Sequence, residues 1–128
     1  MSLGGDSFYT EEVMQSVEDA LVAELKSVFG DMKIYSSAKK GQIPPECVIF
    51  TIKPMMFSRE SDYVQRRTIM FDIAVVTQKS KYWVADRLMK VTSIQLGDVK
   101  KILDSGRFSE VVGIMHFTSY MYLTEVND

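Results

Sequence analysis

An α+β fold is predicted, a two-layer sandwich in which two helices cover one face of a mostly antiparallel sheet of four to five strands. Three observations predict it. Residues 11–29 carry an apolar stripe at helical spacing, residues 66–77 and 114–125 alternate at strand spacing, and a second helical pattern lies between those strands. Two helices can cover only one face of such a sheet, so the other face is left partly apolar, as interfaces often are.

The first helix starts at a candidate cap, Thr10, and carries Glu11 and Glu12 in its first turn, where the helix dipole favours negative charge. Val13, Val17, Leu21, Leu25, Val28 and Phe29 form its stripe, and Gly30 supplies the stop. Lys33–Ser36 reads as a short strand. Residues 37–45 read as a loop, because Gly41, Pro44 and Pro45 oppose regular structure. Glu46–Lys53 alternates, with Val48, Phe50 and Ile52 on one side, and Pro54 marks an edge, a bulge or a strand end. Arg66–Thr77 places Ile69, Phe71, Ile73 and Val75 on an inner face. These two strands predict a hairpin with a long, mobile tip around residues 56–65.

Ser80 is a candidate cap for a second helix, predicted from Lys81 to about Leu96, with Val84, Leu88, Val91 and Gln95 in line and Gly97 as the stop. Val99–Leu103 and Arg107–Val112 are weaker strands around an Asp104-Ser105-Gly106 turn signal. The closing strand follows a tight turn at Gly113. Met115, Phe117, Met121 and Leu123 share one side of it; Ile114, His116, Thr118, Tyr120 and Tyr122 share the other. Bulk on both sides predicts a core below and a partner above.

The 128 residues are expected to form one domain, with residues 1–8 read as a cloning remnant or an unstructured lead. A net charge of −2, with basic residues dispersed as pairs, argues against specific nucleic-acid binding. Apolar runs are too short to cross a bilayer, so no membrane partner is expected. Cys47 has no cysteine to pair with inside the chain, which suits a reducing compartment.

Chemistry is not evident. With one histidine and one cysteine, a zinc set of those residue types cannot form within the chain, and no metal or cofactor is expected. Glycine-rich phosphate loops are absent. Ser36 and Lys39 match a Ser-x-x-Lys spacing without its companion motifs. His116 lies mid-strand, where a hydrogen-bonded structural histidine is commoner than a catalytic one. The expectation is that the chain is not an enzyme; a small hydrolase or ligand-binding domain using His116 is the alternative from another class.

Association is better supported. Nine methionines is a high count for this length, and methionine adapts its shape to partners. Met55, Met56 and Phe57 either face a partner or form a satellite core beneath the hairpin. Arg59, Glu60, Asp62, Tyr63, Arg66 and Arg67 mix both charge signs around a residue type favoured at interfaces. These nine residues are the candidate protein-interface set.

Five segments follow one another along the chain: Val28-Phe29-Gly30-Asp31, Lys33-Ile34-Tyr35, Ile43-Pro44-Pro45-Glu46-Cys47-Val48-Ile49-Phe50, Arg66-Arg67-Thr68-Ile69-Met70-Phe71-Asp72-Ile73, and Glu110-Val111-Val112-Gly113-Ile114-Met115-His116-Phe117 with Tyr120 beyond. In these the chain resembles the tail-terminator-like proteins of phages and prophages of Gram-positive bacteria. It departs from the family pattern in lacking an acidic residue beside Gly113. These are packing patterns rather than catalytic signatures.

The resemblance implies a virion structural protein that caps the tail tube and joins it to the head. It implies a homo-oligomeric ring, typically of six subunits, with tube protein and head-completion protein as partners, in a virion tail assembled in the host cytoplasm. Another head–tail joining protein of the neck is the alternative within that class. A ring that closes head to tail needs two different, complementary patches on each subunit. The hairpin tip and the outer sheet face are the candidates.

Overall fold

A computed structural model describes residues 11–37, 44–59 and 61–126, with the side chains of Ser105, Glu125 and Val126 excepted. The candidate cap Thr10, the residues 1–8 read as a lead, most of the predicted 37–45 loop, Lys39 and Glu60 lie outside the described residues.

Helix α1 spans Glu11–Phe29 and buries Val17, Leu21, Leu25, Val28 and Phe29, the stripe read from the sequence. Strand β1 (Lys33–Ser36) runs parallel to the start of β2 (Cys47–Arg59). Strand β3 (Val64–Val76) pairs antiparallel with β2 and with the last strand, β7 (Ile114–Val126), and β6 (Asp104–Val111) closes the far edge. The sheet order is β1-β2-β3-β7-β6. Helix α2 (Lys81–Leu88) and the ribbon of β4 (Ser93–Leu96) and β5 (Val99–Ile102) complete the fold. It is α+β, with two helices and a mixed five-stranded sheet.

The core forms where α1, α2 and the β4–β5 ribbon meet the inner sheet face. Val48 and Phe50 of β2 join Ile69, Phe71, Ile73 and Val75 of β3 and Phe117, Met121 and Leu123 of β7. Alternation along each strand sends these side chains to one side and leaves Asp72, His116, Thr118, Tyr120 and Tyr122 on the other. Phe29 meets Trp83 of α2 edge-on at 6.4 Å, tying the two helices together.

Three sequence expectations are corrected. Helix α2 ends at Leu88, and residues 93–96 form a strand. Val91 and Ile94 are both buried, three residues apart, a spacing that a helix and a turn-plus-strand share. The deciding signal was Gly97-Asp98, a two-residue hairpin turn between the paired Leu96 and Val99.

Next, Asp104-Ser105-Gly106 is not a turn. It opens β6 with a bulge against β7, while β5 pairs with β4. Finally, the β2–β3 hairpin lacks a long tip. Both strands continue through the predicted loop, to Arg59 and from Val64. The ladder slips once between Pro54 and Met56, then resumes with Met56 opposite Thr68. Pro54 therefore sits at a bulge on an edge strand, and the strand does not stop there.

Candidate protein-interaction surfaces

Strand β1 is only four residues long and matches β2 only from Cys47 to Phe50. Among the described strands, β2 has no neighbour on that side from Thr51 onward. The Phe50 carbonyl accepts the Ser37 N–H at 2.8 Å across this edge. By strand alternation, Pro54 also turns its nitrogen to the open edge, where a missing N–H costs no ladder bond. At the other flank β6 reaches only Tyr120 of β7. The result is a three-stranded arm of late β2, early β3 and late β7 that runs past the shorter strands.

The arm carries the predicted interface set. Met55, Met56 and Phe57 are 49%, 62% and 56% exposed, so they do not form a satellite core in the isolated chain. Tyr63 is 64% exposed at the tip; Arg59, Asp62 and Arg66 are exposed and Arg67 is half-buried. The Ser61 hydroxyl accepts the N–H groups of Tyr63 at 3.2 Å and Val64 at 3.1 Å, which closes the turn. Cationic side chains lie over aromatic rings on both faces. Arg66 stands 4.9 Å from the Tyr122 ring centre and Arg67 6.0 Å from that of Phe57. With Lys53 and Arg59 they put several cations on the arm, beside the acidic Asp62 at its tip.

The Tyr122 hydroxyl donates to Asp104 at 3.1 Å, linking the arm to β6. That bond, to a carboxylate, holds the phenol above its ordinary pKa.

A second exposed apolar group lies at the opposite end of the sheet, on the other edge. Strands β6 and β7 are joined by Val112-Gly113, with Val111 opposite Ile114. Both turn residues have positive φ, 51° for Val112 and 76° for Gly113, as a tight hairpin of this length requires. Val112 is 95% exposed, Val111 53% and Phe108 40%. The sequence reading located the turn at Gly113 and missed its apolar tip.

His116 sits on the outer sheet face between these ends. Its Nδ1 lies 2.9 Å from Asp72 Oδ2, and the Thr118 hydroxyl donates to Asp72 Oδ1 at 3.3 Å. Ala74 faces His116 and Asp72 faces Thr118 in the β3–β7 register, so the carboxylate bridges two neighbouring positions of the adjacent strand. Both carboxylate oxygens thus serve to join strands, a structural role. A cleft of about 540 Å³ lies elsewhere, between α1 and the β1–β2 edge, lined by Glu11, Met14, Glu18, Thr51 and Lys53 among others. Another, of about 300 Å³, lies beside Gly106 and Phe117. His116 lines neither. Among the described residues, no three His, Cys, Asp or Glu side chains gather as metal ligands, and no helix is long and apolar enough to cross a membrane.

The surfaces therefore offer contact area and charge, and comparison with known proteins assigns them a context. The family model described as phage tail terminator protein matches residues 16–128. The chain belongs to the phage tail terminator family. As a tail terminator it is a structural protein and a component of the virion tail. No curated protein matches the sequence. One solved structure, of a protein bearing no functional name, superposes with a TM-score of 0.51 at 13% identity, covering 94% of this terminator and 97% of its own chain. At that identity the likeness shows the fold alone.

Proposed function

We propose that this terminator caps the head-proximal end of the finished tail tube, assembling there as a closed ring of identical subunits. The ring blocks further addition of tube protein and presents a surface to the head-completion protein. Assembly takes place in the host cytoplasm before the tail joins the head. The observation that carries this reading is the family match over nearly the whole chain. Two features of the fold support it.

First, the described residues expose apolar side chains at well-separated places, the β2–β3 arm and the β6–β7 turn among them, with Tyr82, Met89, Val99 and Ile102 exposed around α2 and the β4–β5 ribbon. A closed head-to-tail ring needs two unlike patches on each subunit, whereas a two-fold dimer needs one self-complementary patch. Second, the ionisable cluster on the outer sheet face is occupied in joining strands. The interface residues are Met55, Met56, Phe57, Arg59, Asp62, Tyr63, Arg66 and Arg67, with Glu60 from the sequence reading outside the described residues.

The test is an elongation assay. Tail tubes of defined length are supplied with excess tube protein, with and without the terminator, and measured in negative-stain images. Capped tubes should keep their length and show added density at one end. Tubes that lengthen equally in both samples would remove the reading.

A further inference from the structure

The Val112-Gly113 turn departs from two local rules at once. A β-branched residue is an outlier at positive φ, because its side chain crowds the backbone there, and the first position of such a turn ordinarily carries Asn, Asp or Gly. Val112 takes this conformation at φ 51° while 95% exposed, so no packing within the chain offsets the strain. Asparagine would hold the turn with less strain and suit water better. An unfavourable backbone supporting an apolar tip that touches nothing in its own fold points to an external contact.

We infer that Val112 is the knob of the subunit–subunit contact, seating on the β2 bulge of the next copy at Met55 and Met56. This rests on the ring reading above and deepens it. Three observations favour a second copy as the occupant. The turn and the Met55-Met56 patch lie at opposite ends and opposite edges of one sheet, as a head-to-tail repeat requires. Both patches are apolar, and unbranched methionines beside the Pro54 bulge can adapt to a small branched tip. The charges are complementary: Glu110 stands exposed two residues before Val112, while Lys53 and Arg66 share the sheet face of Met56.

The contact can be trapped directly. A diazirine-bearing aliphatic residue is placed at position 112, and the protein is irradiated alone at high concentration and again in capped tails. Mass spectrometry then maps the cross-link. A link from 112 to Met55 or Met56 of another copy is expected in both samples. A link to tube protein, or capped tails without any link from 112 to those methionines, would overturn the contact while leaving the capping function standing. Failure of the unmodified protein to cap tubes would instead remove the function, and the cross-link in the protein alone would still decide the contact.

A second variant separates knob from fold. Val112→Asn should raise the melting temperature and, in the same preparation, raise the concentration needed for capping at least about tenfold, the scale of one lost methyl-bearing contact. A more stable Asn variant that caps at the original concentration contradicts the proposal. Charge reversal supplies the third arm. Glu110→Arg and Lys53→Glu should each weaken capping, and the double reversal should restore part of it; a double variant worse than either single one counts against the pairing.

Discussion

Glu46 shows how one side chain can set the entry of a strand. Its φ of 59° lies in the left-handed region, and its carboxylate accepts the Thr77 hydroxyl at 2.6 Å and the Gln78 N–H at 3.0 Å. Those bonds clamp the start of β2 to the end of β3. They hold the carboxyl below its ordinary pKa, the Thr77 hydroxyl foremost, because they favour the ionised acceptor. A depressed folded-state pKa contributes stability that is present above the unfolded value and is lost as pH falls through the folded one. Glu46→Gln should therefore lower the urea midpoint at neutral pH and shrink its fall between about pH 5 and about pH 3, a window around the ordinary glutamate pKa of ~4.3. An unchanged acid limb would contradict this account of Glu46. The sequence carried no sign of the clamp, since thirty-odd residues separate the partners. Cys47, next in the chain, is fully buried, and burial first and the Glu46 carboxylate second push its thiol pKa up. Its thiol should react with a disulfide reagent only as the protein unfolds. Val112 is the counterpart at the other scale of exposure: its replacement by Asn should stabilise the isolated chain by ~1 kcal/mol through relief of left-handed strain, read as an upward shift in urea midpoint.

At the scale of elements, the long ones were legible, and of the short ones β1 and β5 were read while β4 was taken into a helix. Helix α1 and strands β3 and β7 each repeat one period over more than ten residues, so their buried faces could be read position by position. The β4–β5 ribbon has four residues per strand and lies directly after a helix whose period its buried residues continue. The Asp-Ser-Gly signal at 104–106 misled for a different reason. Gly106 is glycine because a Cβ there would run into the ring of Phe117, which packs beneath it and beside Phe108 at 5.3 Å. Close approach across a bulge uses the same residue as a turn does, and sequence alone does not separate them. Gly106→Ala should cost about 1–3 kcal/mol, since the buried Phe117 ring must leave its place. Its urea midpoint checks this; a midpoint matching wild type would show that the ring can move freely. By contrast, Leu21→Ala removes a fully buried side chain from the centre of α1 and should cost about 2–5 kcal/mol by the same measurement.

For the whole molecule, the layer arrangement followed from the order of long periodic segments, and the sequence carried no evident chemical motif. A cluster of apolar and charged side chains beyond Pro54 is what marks the candidate interface residues in the sequence. Their arrangement as an extended arm was not foreseen, because proline was given too much power to end a strand that a single bulge lets continue. The second patch escaped notice because Val111-Val112 reads as ordinary strand, and only its exposure and backbone reveal it. On the proposed reading, the two patches make this small α+β domain a unit that binds its own kind in one direction. Averaged electron images of the head-proximal end of assembled tails test that claim most directly. The account predicts a closed ring of copies whose β6–β7 turns point onto the β2–β3 arms of their neighbours. A tail end carrying a single copy, or a ring joined through other faces, would contradict it.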